Sequence, residues 1–480
     1  MPTSTWRGWS SRPPKEADVA DASADLGHVH LVGIGGAGMS GIARVLLARG
    51  SAVSGSDAKE SRALAELRAL GATVHVGHAA EHVVDADTVV VSSAIRETNP
   101  ELRAARERRL RVLPRAEALA VLMRGRRGVA VAGTHGKTTT TSMLTVAAFH
   151  CGVDPSFAIG GDLNEAASNA HHGTGDLFVV EADESDGSFL HYHPDLAVVT
   201  NVEADHLDHY ADEAAVDAAF LAFAETVGSG GLVACADDPG AQRLTAAARE
   251  RGASVRTYGQ DPSSDLRLTN LTVRGSGSTW TPVLDGRELP QVRLSVPGAH
   301  LALNSGAALL AGLSLGLPEV RVIEGLAGYT GVRRRMELKG TVGGIRVYDD
   351  YAHHPTEVRA QLTAAREVAG GGRLVVAFQP HRYSRTAVFA EAFGQALSLA
   401  DDVVVMDVYA AGEDPIPGAT GAAVAAAVAL PRGQVRFEPS WSRVPEELAA
   451  RARPGDLVLT LGAGDITLVG PEVLLLLEAS

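Results

Sequence analysis

The sequence predicts an α/β protein of several domains built on mostly parallel sheets. From about residue 28 onward, short β-branched runs alternate with amphipathic helical stretches at the spacing of βαβ units, whose crossover helices make neighbouring strands run parallel. Several of those runs end in glycine or carboxylate clusters, where open α/β sheets carry their ligands. At 480 residues, and with roughly 100–200 residues per domain, the chain has room for several cores.

The elements follow in order. HVHLVG (28–33) reads as a strand, GMSGIARVLLARG (38–50) as a helix, SAVSGSD (51–57) as a strand and SRALAELRALG (61–71) as a helix. ATVHVG (72–77) and TVVVSSAI (88–95) are further strands. Gly50 and Gly71 stand just past helical stretches, where a left-handed cap is wanted. A second block starts at RRGVAVAGTHGKTTTTSMLTVAAF (126–149) and continues through LFVVEADESD (177–186), LAVVTNVEADHLDHY (196–210) and GLVACADD (231–238). Residues 258–296 read as short antiparallel strands forming an excursion from the main sheet, and VPGAHLALNSGAALLAGLSLG (296–316) restores a helix. A glycine-rich connection, GYTGVRRRMELKG (328–340), leads to a third block with IRVYDDYAHHP, LVVAFQP, DDVVVMDVY and DLVLTLGAGD.

Composition excludes several classes. No stretch approaches the roughly 18 uninterrupted apolar residues of a membrane helix. Residues 1–25 lack an apolar signal core and read as a flexible tail, so a cytoplasmic setting is expected. A net charge of −14 argues against nucleic-acid or anionic-membrane binding. Cys151 and Cys235 show no disulfide or zinc spacing and read as buried small hydrophobes. Only four of the 43 basic residues are lysines: Lys15, Lys59, Lys137 and Lys339. A chain so biased towards arginine keeps a lysine where a compact point charge is needed.

Gly33-Ile-Gly35-Gly36-Ala37-Gly38 follows a strand and opens a helix, and Asp57 ends the next strand. That is the context of a dinucleotide fingerprint, in which glycines admit a phosphate to a helix N-terminus. It suits a nicotinamide cofactor, the diphosphate of another nucleotide such as a UDP-sugar, or a bare tight turn. Gly133-Thr134-His135-Gly136-Lys137-Thr138-Thr139 carries more chemistry. Its amides can wrap an anion, Lys137 can neutralise outer phosphates and Thr138 can ligate Mg²⁺. Strict P-loop spacing asks for glycine where Val131 stands, so the loop is a shortened variant.

Glu181, Asp183, Glu184 and Asp186 follow one strand of this block, and Glu203, Asp205, His206, Asp208 and His209 another. A phosphoryl-transfer site needs one or two carboxylates for Mg²⁺. Glu184, Asp186, Asp208 and His209 read individually as solvated loop groups, and His171, His172, His191 and His193 as exposed loop histidines. Zinc is a poor reading, since no HExxH or Cys/His spacing occurs. Arg333-Arg334-Arg335, Asp349-Asp350-Tyr351-Ala-His353-His354 and Gln379-Pro-His381-Arg382-Tyr-Ser-Arg385 are the places where positive charge could meet anionic ligands.

Together, GIGGAGMSGIA, AGTHGKTTT, EADESD, NVEADHLD, GVRRR, DDYAHHPTEV and FQPHRYSRT, in this order over residues 28–480, resemble the Mur ligase family. The resemblance implies three domains: a Rossmann-like N-terminal domain (26–118) for the UDP substrate, a central P-loop ATPase-like domain (119–331), and a C-terminal Rossmann-like α/β domain (332–480) that closes on ATP and an amino acid. The implied reaction is ATP-dependent joining of L-alanine to the lactyl carboxylate of UDP-N-acetylmuramate through an acyl phosphate, in peptidoglycan precursor synthesis. Gly33, Gly35, Gly36, Ala37, Gly38, Asp57, Ser92 and Ser93 would then serve the UDP substrate.

Gly133 to Thr139 would hold ATP, with Lys137 on its outer phosphates. Thr138, Glu181 and His206 would place Mg²⁺, two ions in all. Arg335 would meet ATP phosphates, Asp350 the ribose and Asn304 the adenine side. Tyr351, His353, His381, Arg382 and Arg385 would surround the amino acid. Some family members bridge metal with a carbamylated lysine; no lysine lies between Lys137 and Lys339, which fits the L-alanine-adding branch. The family's PGxHNxxN has Leu301 in place of its first asparagine.

A monomer or weak homodimer is expected. A ligase adding a tripeptide to the same sugar nucleotide is the near alternative. A NAD(P)-dependent oxidoreductase would leave AGTHGKT unexplained, and a P-loop regulatory protein would not need three blocks of polar strand ends.

Overall fold

The computed structural model describes residues 26–479 apart from Ser93, Glu165, Ala167, Leu207, Asp208 and Ser276. The tail 1–25, Ser93, Asp208 and the side chain of Ala37 therefore lie outside the described residues. Three sheets distribute over two compact units. One holds the described residues up to Thr269 with Thr281–Val292 and Leu303–Tyr329; the other holds Asn270–Trp280, Arg293–Ala302 and Thr330 onward. The architecture is that of three α/β domains, each on its own sheet.

The first sheet contains β1 (Val29–Val32), β2 (Val53–Asp57), β3 (Thr73–Val76), β4 (Thr88–Val91) and β5 (Arg111–Pro114), all parallel in the order β3-β2-β1-β4-β5. The chain moves outward from β1 to β3, then returns to lay β4 on the other side of β1. That reversal opens a crevice at the C-terminal end of β1, where Gly33 begins its loop. Gly50 and Gly71 take φ of +78° and +103° directly after their helices, the left-handed cap the sequence asked for.

The second sheet runs through β6 (Arg127–Ala132), β7 (Ser156–Leu163), β8 (Ser168–His171), β9 (Leu177–Glu181), β10 (Leu196–Val199), β11 (Gly231–Cys235), β12 (Val255–Gly259), β13 (Leu266–Arg274), β14 (Gly277–Leu284), β15 (Arg287–Glu288) and β16 (Val292–Leu294). Its order is β15-β14-β13-β12-β11-β10-β6-β9-β7-β8, with β16 on β14. The expected antiparallel excursion is corrected in part: β13 pairs in parallel with β12 and extends the sheet, with Leu266 and Leu268 buried, while β14 and β15 pair antiparallel as expected. β6 is flanked by β9 and β10, both parallel to it. The loops after all three strands therefore leave one edge together.

The helix Lys137–His150 that follows β6 is rich in threonine, a poor helix former, yet Thr138–Thr141 are buried. Thr141, Ser142 and Thr145 return their hydroxyls to the carbonyls four residues back, which satisfies them without a partner element. The first two sheets share one apolar cluster, in which Leu46, Leu119, Phe178 and Phe220 are buried. Gly41, on the helix Ala37–Ala48, leaves room for Ala170 of β8. The helix Arg115–Met123 runs through position 118. Cys235 is buried, but Cys151 is half-exposed at a helix end, which corrects the expectation that both are core.

The third sheet has the order β17 (Glu337–Val342), β18 (Ile345–Asp350), β22 (Leu457–Leu461), β19 (Leu374–Phe378), β20 (Asp402–Val405), β21 (Val435–Phe437). Only the β17–β18 hairpin is antiparallel. In β19, Leu374, Val376 and Phe378 join one apolar cluster and Val375 and Ala377 another, so both faces are covered and the strand is a continuous apolar run. β18, β19, β20 and β22 deliver their following loops to one edge.

Candidate active site

Gly133 has φ +132° and Gly136 φ +82°, so both need glycine's freedom. A side chain at 133 would also collide with Thr200, and a Cβ at 136 would lie 2.8 Å from the Asn304 Oδ1 atom. The loop is held from outside. The His135 amide donates to Asn201 Oδ1 at 2.7 Å, and Thr200 Oγ1 and Asn201 Nδ2 donate to the His135 carbonyl at 2.5 and 3.0 Å. The Glu203 amide donates to Thr134 Oγ1 at 2.9 Å. Thr139 is buried in the helix that follows.

Lys137 Nζ donates to the Gly133 carbonyl at 2.7 Å and to Glu184 at 2.8 and 3.0 Å. Glu184 is 2% exposed. The expectation that it is a solvated loop charge is corrected: it is the buried counter-ion of Lys137, and separation along the chain hid the pairing. Burial works against the Lys137 charge, but Glu184, Asp183 and Glu181 outweigh it and hold the ammonium above its ordinary pKa. Thr138 Oγ1 donates to both Glu181 oxygens at 3.0 and 3.1 Å, and the Gly160 amide donates to Glu181 at 2.7 Å. His206, in a left-handed conformation at φ +54°, brings Nε2 to 3.8 Å from Glu184 and 3.6 Å from Asp205. A hydroxyl beside a carboxylate, with further carboxylates behind, is the hard-oxygen donor set that suits Mg²⁺ beside a phosphate. Asp186 is half-buried and accepts from the Ser188 amide; His209 is exposed, as expected.

Around the first loop, Gly33 has φ +80°, and the Gly33 and Ile34 amides donate to the Ser56 carbonyl at 2.8 and 2.9 Å. Asp57 Oδ2 accepts from the Gly35 amide at 3.0 Å. Asp57 thus braces the loop itself. Gly36 is the N-cap of the helix Ala37–Ala48, with no side chain capping it, so the first amides of that helix are available to an anion. Ser92 lies just past β4.

In the second unit, Tyr351, His353 and His381 form a chain of edge-to-face rings at 5.2 and 5.7 Å, and His381 stacks on Tyr409 at 5.6 Å. The Arg334 and Arg335 guanidinium groups lie 5.0 and 5.3 Å from the centre of the Tyr351 ring. Burial, reinforced by Arg385 and His381, pushes His353 down to about 3, and burial with Arg385 and Arg382 pushes His381 down to about 4, so both are neutral near pH 7. Asp350 is fully buried, and its two oxygens accept from the Met336 and Ala352 amides at 2.7 and 2.8 Å. Burial raises it to about 7 against the pull of Arg335.

Three residues escaped the sequence reading. Tyr409 is bridged to the Pro380–Arg382 turn by backbone hydrogen bonds of 2.8 and 2.9 Å, and Glu413 accepts from the Ser384 amide and hydroxyl at 3.0 and 2.7 Å. Arg115 lies against Gly38. The two residues after β20 had a signal, since DDVVVMDVY ends at a sheet edge; Arg115 had none.

Matches to known proteins agree with this geometry. Residues 28–127 match the "Mur ligase family, catalytic domain", residues 131–312 the "Mur ligase middle domain" and residues 334–464 the "Mur ligase, glutamate ligase domain". A UDP-N-acetylmuramate–L-alanine ligase of Acidothermus cellulolyticus is 62% identical over 451 residues, 94% of each chain. The crystal structure of the UDP-N-acetylmuramate–alanine ligase of Thermotoga maritima superposes with a TM-score of 0.78 at 29% identity, covering 94% of this chain and 99% of that one. A murein peptide ligase of Psychrobacter arcticus gives 0.68 at 25% identity, covering 94% and 98%. With three domain matches in chain order and a relative this similar over nearly its whole length, the chain belongs to the Mur ligase family.

Proposed function

We propose that the chain is an ATP-dependent ligase that joins L-alanine to the lactyl carboxylate of UDP-N-acetylmuramate, with release of ADP and phosphate, in peptidoglycan precursor synthesis. One observation carries the mechanism: a lysine-bearing glycine loop and a separate glycine loop stand in one compact unit, with the carboxylates of Glu181, Asp183 and Glu184 beside the first of these. ATP supplies the phosphoryl group that turns the carboxylate into an acyl phosphate, from which phosphate leaves when the amine attacks. Phosphoryl transfer asks the protein mainly for position and charge neutralisation.

Lys137 and the amides of Gly133 to Thr139 would neutralise and orient the outer phosphates. Thr138, Glu181 and His206 would hold Mg²⁺, two ions in our reading, to offset charge on the transferring group. In the second unit, Arg335 would add positive charge for phosphates and Asp350 would serve the ribose through its remaining lone pairs. Asn304, packed against Gly136, would border the adenine.

Tyr351, His353, His381, Arg382 and Arg385 would receive the amino acid. Neutral imidazoles at His353 and His381 can accept hydrogen bonds from an amine, and the arginines suit its carboxylate. The first loop, with Gly33 to Gly38, Asp57, Ser92 and Ser93, would take UDP. We place the functional divisions near residues 118 and 331, and the reaction in the cytoplasm with a monomer or weak homodimer. No helix among the described residues is long and apolar enough to cross a membrane.

Phosphate release from ATP tests the reading. It is expected with UDP-N-acetylmuramate and L-alanine, and to a lesser extent with glycine or L-serine. Release with L-alanyl-γ-D-glutamyl-diaminopimelate but none with L-alanine would replace this reading by the tripeptide-adding one.

A further inference from the structure

Arg115 opens the helix Arg115–Met123 directly after β5, behind Pro114, so its backbone direction is set by a strand end and a proline. Its side chain crosses to the first glycine loop. A Cβ built on Gly38 would lie 3.0 Å from both Cδ and NH1 of Arg115, so Gly38 is small where the guanidinium passes. Gly38 sits in the first turn of the helix Ala37–Ala48, whose leading amides face the anion site. The other side of the guanidinium faces Asp183, with NH2 to Oδ2 at 3.8 Å, beyond hydrogen-bond reach.

The surroundings give this cation a task. Burial opposes the Arg115 charge, but Tyr192, Asp183, Asp186 and Glu181 outweigh it and hold it raised. The carboxylates that suit Mg²⁺ therefore also project negative charge towards the first loop, where an anionic ligand would meet repulsion. Arg115 is the basic side chain placed between the two. Tyr192, fully buried beside this group, has a hydroxyl with no hydrogen-bond partner among the described residues. A buried orphan hydroxyl next to a cation whose paired carboxylate stands at 3.8 Å, beyond hydrogen-bond reach, marks a place for a polar ligand.

We propose that Arg115 is a substrate-binding residue that contacts the diphosphate of the sugar nucleotide at the first glycine loop. Asp183 holds the guanidinium in position before the diphosphate arrives, and the 3.8 Å separation leaves the fork of N–H donors free to turn to phosphate oxygens. This rests on the reading that the first loop takes UDP, and deepens it by supplying the cation the motif itself lacks.

Calorimetric titration of the full chain with uridine, UDP, UDP-N-acetylglucosamine and UDP-N-acetylmuramate tests it. In Arg115→Ala, affinity for the three diphosphates is expected to fall about 10- to 100-fold, the scale of one hydrogen-bonded charge, while uridine binds within twofold of wild type. Arg115→Lys keeps the charge without the fork and should fall between. Diphosphate affinities that stay within twofold would overturn the proposal. So would parallel loss of uridine, which marks a structural role, or a loss confined to UDP-N-acetylmuramate, which assigns Arg115 to the lactyl carboxylate. A wild-type chain that binds no UDP would instead remove the reading of the first loop, and the proposal with it.

Discussion

The two glycine loops share a plan and differ in where their charge comes from. Each follows an interior parallel strand and opens a helix, and positive φ occurs at Gly33 in the first and at Gly133 and Gly136 in the second. The second carries its own cation and hydroxyl, Lys137 and Thr138, already engaged by Glu184 and Glu181. The first has no charged residue within Gly33–Gly38 and is braced by Asp57 and the Ser56 carbonyl. A motif made only of glycines states what the backbone needs, and several nucleotides satisfy that need. A motif that includes Lys-Thr states what the ligand must be.

The largest expected effect separates the loops by chemistry. Lys137→Ala should lower L-alanine-dependent phosphate release by at least ~10²–10³-fold, as loss of a preorganised charge at a transferring group does. UDP affinity should hold within twofold; equal loss of both would erase the distinction drawn here. The same variant leaves Glu184 buried without its partner, which costs on the order of 3–5 kcal/mol. Thermal denaturation should show that loss and its recovery in the Lys137→Ala/Glu184→Gln double variant.

A smaller difference tests how tightly each loop is held. Gly133→Ala places a side chain at φ +132° and against Thr200, and should destabilise by roughly 2–4 kcal/mol. Gly35→Ala meets Leu64 Cδ1 at 2.5 Å and Asp57 Oδ2 at 2.9 Å, side-chain ends and not backbone, and should cost about 1–2 kcal/mol. Denaturant midpoints in the reverse order would show the first loop to be the more rigid.

The smallest effect concerns support behind the first loop. Buried Glu101 accepts from Ser56 Oγ at 2.5 Å, and pairs with His82 at 2.7 Å and His78 at 3.1 Å. Burial would raise its pKa, but hydrogen bonds from His30, Ser56 and His82 prevail and lower it to about 2. A carboxyl depressed on folding contributes stability that is complete above its unfolded value, near 4.5, and is lost as pH falls towards 2. Glu101→Gln should therefore be less stable than wild type at pH 7, with the gap closing between pH 4.5 and 2 in denaturation curves. A gap independent of pH would assign Glu101 a packing role.

Much of the fold was legible. The alternation that predicted parallel sheets appears as three of them, and Gly50 and Gly71 cap helices as their positions required. The strand-end logic also located both loops and the segments after β9, β10, β18 and β19. What stayed hidden were partners. Glu184 reads as one more acid in EADESD until Lys137 is seen 47 residues away in the chain and within 2.8 Å in space. Residues 258–296 read as an excursion because their alternation shows strands and cannot say which edge they join. Asp350 reads as a ligand contact, while its oxygens also brace Met336 and Ala352.

By itself the sequence determined the α/β class, the two loops and the chemistry of the second, because periodicity, glycine φ and Lys-Thr spacing are written among near neighbours. Tertiary structure alone decided which carboxylate holds Lys137, that Tyr409 stacks on His381, and that Arg115 reaches Gly38. Those contacts depend on strand order, and strand order is chosen by burial over the whole sheet, so no local stretch of chain records it.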